Sequence, residues 1–479
     1  MLLSSFGYLV FLSLVALLYY SVPNNKKYLV LLSGSLFFVG WLSINILAFT
    51  LIFITLNYVF GIVLYRNIDK PFKRKLFLLF ISVNILILAF YKYINFFIDN
   101  INALLSLIPT GHELKYIDVI IPVGISYYTF QSIGYLIRIS RGNEKAEKNF
   151  GIFALLLMFF PKFLAGPVER SNHFIPQIKE LNSFNYPVVI AGLKLFLLGL
   201  FKKVVIGDNL AGLINHVYAY PDTYQGLSLI LTMFLQTIQL YADFSGYTDM
   251  ALGSAKVLGI DLLPNFQRPF MSKNITELWR RWHMSLSLWC NDYIFKPIMI
   301  RYRKLGNRAA VYAVFVTFFI IGIWHGANWT FVVLGLLQGI AITYEFYTKR
   351  YRARIKKKMP SVVATWLSRF ITFTYFSFSL IFFNSPSLTE AFQFINKMFF
   401  QFDSHLTGYF VEMNIVDFLI AMISFAALLV YEVIQENGYP VEKWFSARPV
   451  YFRWSVYYIL ILLTFVYNTN ENTFVYLQF

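Results

Sequence analysis

Residues 309–347 read AAVYAVFVTFFIIGIWHGANWTFVVLGLLQGIAITYEFY, and this stretch decides the fold. Two apolar arms flank one polar break, Trp324-His325-Gly326-Ala327-Asn328-Trp329. Arg301, Arg303, Lys304 and Arg308 precede the first arm, and the basic run Lys349–Lys358 follows the second. Short loops rich in Lys and Arg stay on the cytoplasmic side of a membrane. Both flanks therefore read as cytoplasmic, and the break reads as the outer turn of a helical hairpin. His325 follows Arg308 by 17 residues, roughly 25 Å of helix, so it belongs deep in the bilayer towards the outer side. An ionisable group at that depth is a functional candidate, and imidazole is the usual general base near neutral pH. The plainer reading is a histidine at an external turn, with Trp324 and Trp329 in the interfacial belt. Spacing alone leaves both open.

The rest of the chain agrees with a membrane scaffold. Of the 479 residues, 58% are hydrophobic and 14% charged, against about 25% charged in soluble proteins. The apolar runs are continuous rather than alternating, which argues against a β-barrel. The expected fold is an all-α polytopic membrane protein with about 11 to 14 membrane helices, some broken or re-entrant. The net charge of +17 sits in short loops between the apolar runs, so it marks topology and not nucleic-acid binding. Cys290 is the one cysteine; no internal disulfide can form and no cysteine-based metal site is expected. No His/Asp/Glu spacing resembles a metal site.

One membrane-embedded domain is expected over 1–479, with peripheral helices in 1–115, a core in 116–347 and C-terminal helices in 348–479. Phe6–Val22 reads as the first span, not a removed signal. Runs at Tyr28–Trp41 and Ile44–Tyr65 lead to the basic loop Arg66–Lys75, which places the N-terminus outside. Leu76–Phe97 returns outward, and Asp99–Lys115 reads as an external loop. Asp118–Ile139 carries Pro122 and Gly124 and reads as a kinked span. Phe150–Phe163 precedes Gly166-Pro167-Val168-Glu169-Arg170, a cavity-lining or re-entrant piece. Pro187–Phe201 ends at Lys202 and Lys203, and Val204–Tyr220 and Leu227–Tyr241 read as two shorter spans. Phe370–Phe383, Phe410–Ile434 and Tyr451–Tyr467 complete the membrane part, with the C-terminus outside by parity.

A second histidine lies in Trp279-Arg-Arg-Trp-His-Met-Ser-Leu-Ser-Leu-Trp289. Asn274 and Glu277 read as a cap with a reciprocal acid. A continuous helix from there puts Trp279, Trp282, His283 and Leu286 on one face. Arg280 and Arg281 then leave that face for water or phosphate. The plainer reading is a basic amphipathic helix on anionic lipid, with His283 merely packed. Gln239, Tyr241, Asp243, Ser245 and Asp249 are costly against lipid and should face a protein interior or water. Asp243 and Asp249 fit either a transporter's proton relay or satisfied interior groups. His112, His173, His216 and His405 read as loop or span-end residues.

These stretches resemble the membrane-bound O-acyltransferase superfamily, in its bacterial alginate O-acetyltransferase branch. Ile121–Gln131, Phe160–Val168, Gly199–Val204, Tyr241–Met250 and Asn265–Phe270 resemble the same branch. The likeness runs from about Phe6 to Glu345; that to the teichoic-acid D-alanylation membrane protein is more distant. The resemblance implies a tunnel from cytoplasm to outer face, with His325 as the catalytic histidine and His283 as the second motif histidine. Trp324, Trp282, Asn328, Arg280, Arg281, Gln239, Tyr241, Asp243, Ser245 and Asp292 become candidates for donor contact or tunnel lining. No bound cofactor and no metal is implied. The expected donor is acetyl-CoA from the cytoplasm, and the acceptor a polysaccharide outside a bacterial inner membrane, served by an extracytoplasmic partner acetyltransferase. An acyl channel without chemistry of its own, or a lipid O-acyltransferase, is the alternative. The family's arginine before its Asp-Tyr pair is missing here, where Cys290-Asn291 precede Asp292-Tyr293, so that arginine's phosphate contact is not carried over.

Overall fold

The structure is a computed structural model that describes residues 1–108, 113–180, 183–401, 403–406 and 408–468. His112 and the end of the chain, expected outside the membrane, lie beyond the described residues. Among the described residues all regular structure is helical. Eight helices are long and apolar enough to cross a membrane: Ile44–Arg66, Lys73–Leu105, Leu227–Val257, Asn307–His325, Trp329–Lys357, Ser361–Asn384, Ile415–Glu436 and Val450–Tyr467. Phe6–Ser21 and Phe150–Lys162 are shorter apolar helices. The chain forms two compact units, one of Met1–Phe196 with Met250–Leu263, the other of Leu197–Asp249 with Pro264–Phe479.

In the first unit the early spans follow the apolar runs. Asn24–Leu42 and Ile44–Arg66 are separated by Ser43 alone, whose side chain accepts from Asn45 N to cap the second helix. The fourth helix reaches Leu105, beyond the expected Phe97. Asn95 and Asn102 bind the backbone of Ile117 and Leu114, so the loop is stitched back along this extension. Pro122 and Gly124 do not kink a span, contrary to the sequence reading. They precede the helix Ile125–Ser140, whose cap is Gly124 with φ 79°. A Cβ there would lie 2.7 Å from the carbonyl oxygen of Phe163, so only glycine fits this turn. The apolar helix from Phe150 ends in a 3₁₀ turn at Phe160–Lys162. The buried Lys162 ammonium there donates to Gln131 Oε1 and Leu156 O, both at 2.6 Å. Glu169 accepts from Leu263 N at 2.5 Å and meets His173 Nδ1 at 3.0 Å. That hydrogen bond holds the His173 pKa above its ordinary value.

The second unit corrects two expected spans. Lys202 and Lys203 do not end a span. They open a wide π turn, Lys202–Asp208, inside a helical run from Tyr186 to Ala219. Leu227–Val257 likewise continues unbroken through its polar stretch. Lys202 pairs with Asp249 at 2.7 Å, and Lys203 with Asp208 at 2.6 Å and Asp243 at 2.8 Å. Glycines let the two helices approach. A Cβ on Gly246 would lie 2.6 Å from Gly199 O, and one on Gly207 3.0 Å from Asp243 N. Leu388–Phe400 is an amphipathic helix between the stretches expected as spans at Phe370–Phe383 and Phe410–Ile434. Val450–Tyr467 buries only Thr464, so its apolar surface is left for lipid.

Candidate functional site

The expected hairpin is present. Asn307–His325 and Trp329–Lys357 pack together, and residues 326–328 turn between them. The arms meet at glycines. A Cβ on Gly322 would lie 2.4 Å from Phe331 O, and one on Gly335 2.3 Å from Phe318 O. Backbone against backbone in this way is how small residues bring membrane helices together. Asn328, which the resemblance offered for donor contact or tunnel lining, is tied to backbone groups. Its Oδ1 accepts from Thr330 N at 3.0 Å and its Nδ2 donates to Pro386 O at 2.7 Å, which caps the second arm. His325 is the last residue of the first arm and is buried. Its ring meets Trp324, Phe383 and Phe331 with centroids 5.2, 5.7 and 6.5 Å away.

His283 arrives by a different route. Asn274 caps a short helix, Ile275–Trp279, by accepting from Glu277 N at 2.8 Å. The Glu345 carboxylate accepts from Ile275 N, Thr276 N and the Thr276 hydroxyl. The helix does not continue through Trp282 as its spacing predicted. It stops, and His283 adopts φ 45° and ψ 50° before a new helix, Met284–Cys290. Left-handed backbone at a non-glycine residue costs on the order of 1–3 kcal/mol and persists where neighbours enforce it. Asn265 enforces it here. Its carbonyl accepts from Met284 N at 2.9 Å, and its side-chain Oδ1 from Ser285 N at 3.2 Å and Ser285 Oγ at 2.6 Å. Gln267 N also donates to Arg281 O at 3.0 Å. Among the described residues the other left-handed non-glycine residue is Arg268, in the same segment as Asn265. Sequence reading noted Asn265 only within a motif; its clamp links residues 20 apart.

The two histidines converge on one indole. Trp324 lies edge-on to His283 at 5.6 Å and to His325 at 5.2 Å. Phe244 closes the other side of His283 at 4.8 Å. Trp282 instead packs among Phe376, Phe266 and Tyr241, with centroids 5.0, 5.1 and 6.1 Å away, as part of the aromatic core. The Tyr241 hydroxyl donates to the buried Glu432. Gln239 and Ser245 are buried on the same long helix, and Asp243 is held by Lys203. Asp292 pairs with Lys296 at 2.7 Å near the surface.

The two arginines part company. Arg281 is committed: both amino groups reach Glu436 at 2.8 Å, and one reaches Glu277 at 2.8 Å. These bonds push its pKa up, so the expectation that it meets phosphate is corrected. Arg268 joins the same Glu436 at 3.1 Å. Arg280 is exposed and borders two cavities. One, of about 460 Å³, is walled by Trp279, Met284, Leu288 and Phe318. The other, of about 540 Å³, holds Lys349, Arg352 and Lys356 with Glu345. They share Thr276, Arg280, Phe295, Val314 and Ile342, so a basic recess and an apolar one form one groove beside the His283 segment. Cys290 is buried, and burial pushes its thiol pKa far up. Among the described residues no group of His, Cys, Asp or Glu could hold a metal ion.

The model of the membrane-bound O-acyltransferase family matches residues 149–387. A probable alginate O-acetylase of Azotobacter vinelandii is 34% identical over 342 residues, 70% of this chain and 66% of the relative. A peptidoglycan O-acetyltransferase of Helicobacter pylori is 32% identical over 403 residues, 78% of this chain and 73% of its own length. A teichoic acid D-alanyltransferase of Bacillus subtilis is 29% identical over 270 residues, 54% of this chain and 68% of its own. The chain thus spans about two thirds to three quarters of the length of these relatives.

Proposed function

Because this chain belongs to the membrane-bound O-acyltransferase family, we propose that it carries an acetyl group from cytoplasmic acetyl-CoA towards hydroxyls of a polysaccharide outside the inner membrane. The observation that carries this reading is the convergence of His283 and His325 on the Trp324 ring. Donor phosphates fit the basic recess at Arg280, Lys349, Arg352 and Lys356, and the thioester arm fits the apolar recess along Trp279 and Met284. The acceptor hydroxyl oxygen attacks the thioester carbonyl carbon. His325 takes the hydroxyl proton and returns it to the departing thiolate. A C–O bond replaces the C–S bond, leaving an ester and free CoA. His283 donates a hydrogen bond to the carbonyl oxygen as negative charge develops there. A partner serine outside the membrane serves as first acceptor equally well, with a partner acetyltransferase finishing the transfer. The basic loops around Arg308 and Lys349–Lys358 face the cytoplasm in this reading, and the N-terminus lies outside.

A pure acyl channel would need Asp243 and Asp249 to change charge during transport. Both stand in ion pairs with Lys203 and Lys202, which favours a fixed scaffold role. The test uses the full chain in lipid vesicles with radiolabelled acetyl-CoA. Wild type should release CoA or pass on label, and His325→Ala should do neither. Equal turnover by both proteins would remove His325 from the centre of the reaction and favour the channel.

A further inference from the structure

A second groove in this unit shares Arg352 and Lys356 with the donor recess but has apolar walls of its own. It runs between the helices Trp329–Lys357 and Ser361–Ser379 and encloses about 510 Å³. Its walls are apolar: Ile340 and Tyr344 from one helix, Leu367 and Ile371 from the other. The Tyr375 hydroxyl donates to Leu337 O at 2.6 Å, which fixes the two helices at the deep end. At the opposite end stand Lys273, Arg352 and Lys356. Along the first helix, Lys356 and Ile340 are separated by roughly 24 Å. An acyl chain entering from one leaflet needs about 15 Å to reach mid-bilayer.

Glu345 also lines this end and Glu277 stands near it, but neither forms an ion pair with its three cations. Arg352 is held by Thr348 Oγ1 at 3.1 Å and by the carbonyl of Glu345 at 2.7 Å, neither of which is anionic. The Glu345 carboxylate is turned to Ile275 N and Thr276. Among the described residues no carboxylate forms an ion pair with Lys273, Arg352 or Lys356. The wall residues are open to the surroundings, with Ile340 52% and Ile371 58% exposed. Three cations above an open apolar trough match a molecule with an anionic head and a hydrocarbon tail. Basic pockets between membrane helices take anionic lipid head groups by this chemistry.

We infer that this groove binds an anionic phospholipid, with its phosphate on Lys273, Arg352 and Lys356 and one acyl chain along Ile340, Leu367 and Ile371. The site stands apart from the histidines; it shares Arg352 and Lys356 with the proposed donor recess, whereas Leu367 and Ile371 belong to this groove and not to that recess, so L367W tests it separately. It differs from a general attraction of basic loops to a charged membrane, because it needs both the cations and the trough.

Four full-length proteins test it: wild type, K273Q/R352Q/K356Q, L367W and R303Q/K304Q. L367W fills the trough and keeps the charge. R303Q/K304Q removes two positive charges from an exposed turn away from the groove. Each protein is delipidated in neutral detergent and titrated with dioleoyl phosphatidylglycerol, dioleoyl phosphatidylcholine or inorganic phosphate. Retained lipid is read by native mass spectrometry, and stability by the melting temperature. Wild type and R303Q/K304Q should keep phosphatidylglycerol at least fivefold over phosphatidylcholine, with a raised melting temperature from that lipid alone. K273Q/R352Q/K356Q and L367W should lose the preference. Should the triple variant fail to fold, L367W against R303Q/K304Q decides. Undiminished preference in L367W, an equal loss in R303Q/K304Q, or the same stabilisation by inorganic phosphate alone would overturn the site.

Discussion

The segment around His283 and the hairpin around His325 deliver the same side chain by opposite means. The hairpin relies on close packing: two long helices touch at Gly322 and Gly335, and His325 comes at the end of an arm. The His283 segment relies on polar ties: a short helix, a left-handed residue, the Asn265 clamp and the Arg281–Glu436 pair. A ring placed by packing is lost when volume is added. A ring placed by polar ties is lost when a single acceptor is removed.

That difference can be broken experimentally. The largest effect belongs to the rings. His325→Ala should lower acyl transfer by about 10³-fold and His283→Ala by about 10²-fold, the span of general acid–base contributions; single-turnover assays measure both. Next comes added volume in the hairpin. Gly335→Leu should cost about 3 kcal/mol of stability, because even its Cβ would lie 2.3 Å from Phe318 O, and a thermal melt in detergent reads it. A smaller effect is expected from Asn265→Ala, which removes the Oδ1 that accepts from Ser285 N and Ser285 Oγ. About 1–3 kcal/mol is at stake there. The signature is a fall in kcat with KM little changed, partly restored by Asn265→Asp. A fall in KM-dependent binding alone would show that Asn265 does not position His283. Glu436→Gln loosens Arg268 and Arg281 together and should cost about 1 kcal/mol, more visibly in transfer rate than in melting temperature.

The smallest effect is a pH dependence in the other unit. Glu169 raises the His173 pKa, so the pair's stability is fully present below about 6.5 and is lost as pH rises through the folded-state value. Half-exposure of the ring keeps this under about 1 kcal/mol. A melting curve against pH for wild type and His173→Gln should differ only on the acid side.

Much of this was legible in the sequence. The hairpin over 309–347, its break at Trp324–Trp329 and the Asn274 cap all follow from apolar runs, basic flanks and local side-chain chemistry. What stayed hidden depends on distant partners. Lys202 and Lys203 look like charges ending a span because their partners come far later: Asp249 lies 47 residues after Lys202, and Asp243 is likewise distant from Lys203. Arg281 looks available until Glu436 is placed beside it, 155 residues on. Helical spacing carried Trp282 and His283 onto one face because left-handed backbone at a histidine leaves no mark in a pattern of apolar residues. Asn328 caps the second arm, and Asn before Trp-Thr is a cap signal that the pattern of apolar runs does not register.

Cys290 has a practical consequence. It is the one cysteine of the chain, it is buried, and its thiol stays protonated. The thiolate is the form that alkylating reagents attack, so the unmodified protein should be silent to a membrane-impermeant maleimide. Every cysteine introduced into a loop then reports by itself. Labelling intact cells at Asn67, Lys304 and Gln401, one at a time, reads the sidedness of the whole chain against a blank background without first removing a native residue.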